Sequence, residues 1–145
     1  MTECNMDAKF LTSVKRGKFF KPMYDGKPIE IPFEGCKIVR PIYDKYIRLD
    51  LTTAIGNRGD LLLVHNYIRQ FSKGFSPLKY AAENSSWGDV VCKISNAQWE
   101  LSGEQITEKY LEINDVVDVV FTIGAFGDFG FYLTIKSISI RGKSC

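Results

Sequence analysis

Lys45-Tyr46-Ile47-Arg48-Leu49-Asp50-Leu51-Thr52 alternates between polar and apolar side chains along its length. Period-two alternation puts Ile47, Leu49 and Leu51 on one face of an extended strand and Tyr46, Arg48, Asp50 and Thr52 on the other. Cys36-Lys37-Ile38-Val39-Arg40 is predicted as the preceding strand, stopped by Pro41 and turned into the next by Tyr43-Asp44-Lys45. Residues 88–94, 97–101 and 116–123 follow as further strands. The last, 129–140, is long enough to span two sheets or to bend around a barrel corner. Six predicted strands in 145 residues point to a mainly β fold, a closed or nearly closed barrel.

One amphipathic helix is inserted among them. Gly59-Asp60 is predicted to cap a run in which Leu61, Val64, Ile68 and Phe71 share a face, widened by Leu62 and Tyr67, with Gly74 as the stop. His65, Arg69, Gln70 and Lys73 are placed on the exposed side. The chain reads as a single domain over 1–145. Residues 1–32 form a less regular basic N-terminal segment, because Gly17, Pro22, Gly26, Pro28 and Pro32 break any pattern there.

A 45% apolar and 25% charged composition excludes disordered and collagen-like chains. No apolar run approaches the roughly 18 residues of a membrane-spanning helix, and MTECNMDAKF lacks a signal-peptide core. The expectation is an intracellular, cytoplasmic protein with no membrane partner and with reduced thiols. Cys4, Cys36, Cys92 and Cys145 lie too far apart for zinc-ribbon or thioredoxin spacing. A single histidine excludes Cys2His2 zinc sites and HExxH helices. No phosphate loop, nucleophile elbow or dinucleotide fingerprint occurs. Gly124-Ala-Phe-Gly127-Asp-Phe-Gly130 joins two strands, so it opens no helix toward a phosphate. Glu100, Glu104, Glu108, Glu112, Asp115 and Asp118 could pair as glycosidase carboxylates or hold magnesium, but carboxylates so dispersed usually form a solvated surface. The reading is a non-enzymatic protein without metal or cofactor.

The net charge of +2 conceals segregation. Residues 9–79 carry fourteen Lys/Arg against six Asp/Glu, whereas residues 83–128 carry two against nine. Such blocks can set opposite potentials on different faces, or neutralise each other across the fold. Within the basic block, Lys15-Arg16-Gly17-Lys18-Phe19-Phe20-Lys21 interleaves four cations with two phenylalanines. Tyr46 and Arg48 repeat the pairing on a strand's outward face, Arg40 lies one strand earlier, and Phe126 and Phe129 sit in the glycine-rich loop. Cations neutralise phosphates and release counterions while aromatic faces stack on bases, the combination needed to grip a flexible single strand. The candidate binding residues are therefore Lys15, Arg16, Lys18, Phe19, Phe20, Lys21, Arg40, Tyr46, Arg48, Phe126 and Phe129. Core packing competes for Phe19 or Phe20, and is the better fit for Trp87 and Trp99.

Two segments carry a resemblance. Tyr46–Thr52 followed by an amphipathic helix, and Ile113–Phe121 continuing through Gly130–Ile138, resemble the first long strand with its inserted helix and the closing strand pair of OB-fold single-stranded DNA-binding proteins of short-tailed phages and related DNA viruses. That family joins its closing pair by an aromatic-bearing loop, as Phe126 does here. The resemblance covers about half the chain. It implies an OB-like barrel of five to six strands as the single domain over 1–145, single-stranded DNA, in preference to RNA, as the partner, and a role in viral DNA replication, recombination or repair inside the host cell. The family's acidic, aromatic-tipped tail has no counterpart in the basic Arg141-Gly142-Lys143-Ser144-Cys145, so tail-mediated recruitment is not implied. The alternative is a β-rich structural or interaction module whose basic and acidic faces meet in a homo-oligomer.

Overall fold

The computed structural model describes residues 6–43, 46–68, 70, 87, 90–94, 98–100, 111–126 and 130–142. After a short 3-10 turn at Ala8–Phe10, β1 (Leu11–Arg16) and β2 (Phe19–Tyr24) form a hairpin. Its two-residue loop places Gly17 at a φ of +60°, which suits the primed turns that match strand twist. A second two-residue loop, Asp25-Gly26, has φ of 50° and 77° and leads to β3 (Lys27–Pro28), which pairs back on β2. The N-terminal segment is thus regular β structure from Leu11 onward, contrary to expectation. Its glycines make the turns instead of breaking strands, and Pro22 and Pro28 lie within strands.

Next come β4 (Ile31–Tyr43), β5 (Tyr46–Asp50) and β6 (Ile55–Gly56), then α1 (Arg58–Ile68). The remaining strands are β7 (Val90–Lys93), β8 (Gln98–Glu100), β9 (Val116–Phe126) and β10 (Gly130–Gly142). Pro41 does not end β4 as expected. It falls in the ladder irregularity between Arg40 and Tyr43, where a missing amide donor costs no regular hydrogen bond.

β4, β5, β7, β10 and β9 pair in that order, and β9 pairs with β4 to close the ring. All contacts are antiparallel except β10 with β7. This is a closed five-stranded mixed barrel, the OB-like architecture read from the sequence. Numbered along the chain, its strands run 1-2-3-5-4 and return to 1. β10 bends through irregularities at Ile135/Ser137 and Ile140/Gly142, and so serves β9 along its length, β7 at Thr134 and β8 at Ser137–Ser139.

The alternation in β5 sorts as predicted: Ile47, Leu49 and Leu51 are buried, and Tyr46 is 48% exposed. They meet Phe33, Ile38, Phe121, Leu133 and Ile135 in the barrel interior, where Phe33 and Phe121 stack edge to face at 5.6 Å. Leu61, Val64 and Ile68 of α1 join the same core. The helix starts one residue before the predicted cap, because Asn57 Oδ1 accepts the Asp60 amide at 2.9 Å. Phe71 and Gly74, its expected end, lie outside the described residues. His65 is 6% exposed, not on the solvent side as predicted. With Leu61, Val64 and Ile68 it completes an i, i+3, i+4, i+7 stripe, the width a core-facing helix buries.

Candidate nucleic-acid interface

Inward packing of Ile47, Leu49, Val90 and Cys92 turns the intervening side chains of β5 and β7 outward. Register then pairs Tyr46 with Lys93 and Arg48 with Val91. Lys93 is in turn beside Thr134 of β10, and Thr134 beside Thr122 of β9. The Thr122 hydroxyl donates to the Thr134 carbonyl at 3.4 Å. Four strands therefore contribute one row across the barrel, Tyr46–Lys93–Thr134–Thr122. Arg40 of β4 pairs with Arg48, adding two guanidinium groups beside the row's tyrosine end.

At the other end the row meets the N-terminal hairpin. β4 covers β9 only from Val116 to Phe121, and β2 takes up the edge beyond, pairing Phe19 with Phe126 and Phe20 with Ala125. Strand alternation separates these phenylalanines. Phe20 packs half-buried against the core, with Lys15 Nζ 5.4 Å from its ring centroid. Phe19 turns to the opposite face, where it lines an open groove of about 480 Å³. Val14, Phe19 and Met23 give that groove apolar walls, Arg16 and Lys21 supply cations, and Thr122 and Thr134 connect it to the barrel row.

The structure thus divides the residues singled out in the sequence. Arg16, Phe19 and Lys21 share the groove; Tyr46, Arg48 and Arg40 share the far end of the row; Lys15 and Phe20 lie on the hairpin's other face. Lys18 is exposed in the turn between them. Phe126 ends β9 in register with Phe19, and Phe129 lies outside the described residues. Lys93, Thr122, Thr134, Val14 and Met23 escaped the sequence reading. The signals that could have found the last two are the two-residue loops Gly17-Lys18 and Asp25-Gly26, which set hairpin register.

Charge along this surface is unevenly compensated. Among the described residues, Arg16, Lys21 and Lys93 form no ion pair. Ion pairs cluster toward the start of β9 instead, where Arg141 meets Asp118 at 3.0 Å and Glu34 at 3.4 Å, and Lys136 pairs with Glu30.

Two carboxylates of the acidic stretch hold backbone amides. Asp115 is fully buried, accepts the Glu112 amide at 2.9 Å and closes the turn into β9, where Asn114 has a φ of 71°. Asp118 Oδ1 accepts the Gly35 amide at 2.9 Å. Glu104 and Glu108 lie outside the described residues. Cys36 and Cys92 are buried, free thiols. Burial pushes the Cys36 thiol up to about 12, with the Asp118 carboxylate adding to the rise, and burial likewise raises Cys92. Comparison with known protein families, characterised proteins and solved structures returns no match for this chain.

Proposed function

We propose that the protein binds single-stranded nucleic acid along the Tyr46–Lys93–Thr134–Thr122 row and the adjoining hairpin, without catalysis. The observation that carries this reading is the continuity of the surface. Register alone aligns an exposed aromatic, a lysine and two hydroxyls across four strands, and ends them at a groove bearing two further cations. OB-type barrels bind oligonucleotides on the face of their second and third strands, which here are β5 and β7. Stacking on Tyr46 and phosphate contacts to Lys93, Arg48 and Arg16 would hold a strand without reading its sequence. The resemblance noted in the sequence extends the proposal to DNA over RNA, and to replication, recombination or repair of a viral genome.

Titrating the protein with oligo-dT while following intrinsic fluorescence, at several salt concentrations, tests it. Quenching whose affinity falls steeply with salt is expected, since phosphate contacts release counterions. Unchanged fluorescence at low salt overturns it. Self-association in the same experiment would then favour the homo-oligomeric interaction module.

A further inference from the structure

We infer that the hairpin groove is a pocket for one nucleobase of the bound strand, stacked on Phe19, with the adjoining phosphate held by Arg16 and Lys21. This rests on the nucleic-acid reading above and adds a site beyond the barrel. Three observations carry it. At about 480 Å³ the groove falls in the size range of small-molecule sites, roughly 300–1,000 Å³. Its chemistry is divided as a nucleotide is, with apolar walls of Val14, Phe19 and Met23 beside an arginine and a lysine. A clamp for phosphate alone needs no apolar wall, and a site for a purely apolar ligand gains nothing from an arginine and a lysine.

The third observation is the alternation of the hairpin. Phe20 anchors β2 to the core, so its neighbour Phe19 points to the other face, half-buried along the groove. Thr122 and Thr134 line the groove and also end the barrel row. A strand can therefore pass from Tyr46 to Phe19 without leaving the surface. The hairpin supplies a second stacking platform beyond the strands of the barrel itself.

Two measurements test this. Oligo-dT carrying one 5-iodouracil is photo-crosslinked to the wild-type protein, and the adduct is mapped by mass spectrometry. Adducts on Phe19 or Met23 are expected; adducts confined to Tyr46 would overturn the pocket while leaving the barrel reading intact. In parallel, Phe19→Ala and Phe19→Tyr are titrated with oligo-dT, with the same oligonucleotide carrying abasic positions, and with free dTMP. Phe19→Ala should weaken oligo-dT binding roughly five- to 150-fold, the weight of one base stack, with an unchanged salt slope. Phe19→Tyr should restore it. The loss should shrink for the abasic strand, because the base that Phe19 holds is already missing. An equal loss on both strands overturns the inference, as does tight binding of dTMP that oligo-dT fails to displace. If wild-type protein binds no oligonucleotide, the proposed function itself falls.

Discussion

Tyr46 and Lys93 are register partners across β5 and β7, and both side chains lie on the outer face of the barrel. An aromatic ring and an ammonium group so placed can take a base and its phosphate from the same nucleotide. Tyr46→Ala should cost roughly 1–3 kcal/mol of single-strand affinity with little change in melting temperature. Leu49→Ala, on the inner face of the same strand, should destabilise the fold by about 2–5 kcal/mol. Thermal melts and oligonucleotide titrations on the two variants check the pair. A Tyr46→Ala protein that melts early and binds normally would invert the face assignment.

Cations on the groove and row should separate from those on the hairpin's far side. Replacing Arg16, Lys21 or Lys93 with alanine should lower the salt slope of binding by about 0.7 for each phosphate that is no longer neutralised. Lys15→Ala should leave that slope unchanged, since its ammonium group sits over Phe20 on the opposite face. Slopes that respond equally to all four would mean that the hairpin acts as a diffuse charge with no preferred side.

Arg58 joins the end of β5 to the start of α1. Its Nη2 donates to the carbonyls of Leu51, Thr52 and Ala54, and its guanidinium lies 5.8 Å from the Phe33 ring and 5.6 Å from that of Trp87. Arg58→Ala leaves those carbonyls short of a donor and should destabilise by roughly 2–3 kcal/mol. Arg58→Lys should recover only part, because an ammonium group lacks the planar fork. Gly56→Ala should also destabilise, since a Cβ there would lie 2.5 Å from the Phe33 ring. Urea denaturation measures all three.

The buried thiols predict an alkaline limit. Cys36 holds its proton up to about 12 in the fold, against an ordinary value of 9.0. Between those values the unfolded chain binds fewer protons than the native one, so stability is intact below pH 9 and falls as pH rises toward 12. Each such thiol contributes a slope of about 1.4 kcal/mol per pH unit, and Cys92 acts in the same direction. Replacing both with alanine should flatten the decline, measured by urea denaturation from about pH 8 to 11. A thiol reagent should reach them only on unfolding. Equal slopes with and without the thiols would assign the decline to other groups.

The barrel was legible where one face of a strand meets the core and the other meets water, because burial then writes itself into alternation. β5 is of that kind. The N-terminal hairpin was not, since its glycines and prolines carry opposite meanings in a loop and in a chain of tight turns. Only the two-residue loop lengths distinguish the cases. His65 was misplaced because a polar side chain hides the fourth position of an apolar stripe. Of the site, Tyr46, Arg48 and the basic hairpin were visible locally. Lys93, Thr122 and Thr134 were not, because neighbours across strands are set by register between distant segments.

The closing of β4 on β9 has a consequence for biosynthesis. Residues 31–37 pair with residues 116–121, and β9 in turn carries β10, which meets β7. A nascent chain leaving the ribosome therefore holds β4 and β5 with an open seam until β9 and β10 have emerged. Phe33 lacks Phe121, and the hairpin lacks the edge of β9 on which it docks. Folding of such long-range pairings is slow, and unpaired strand edges invite association between chains. The unfinished protein is thus exposed to aggregation until β9 and β10 are made.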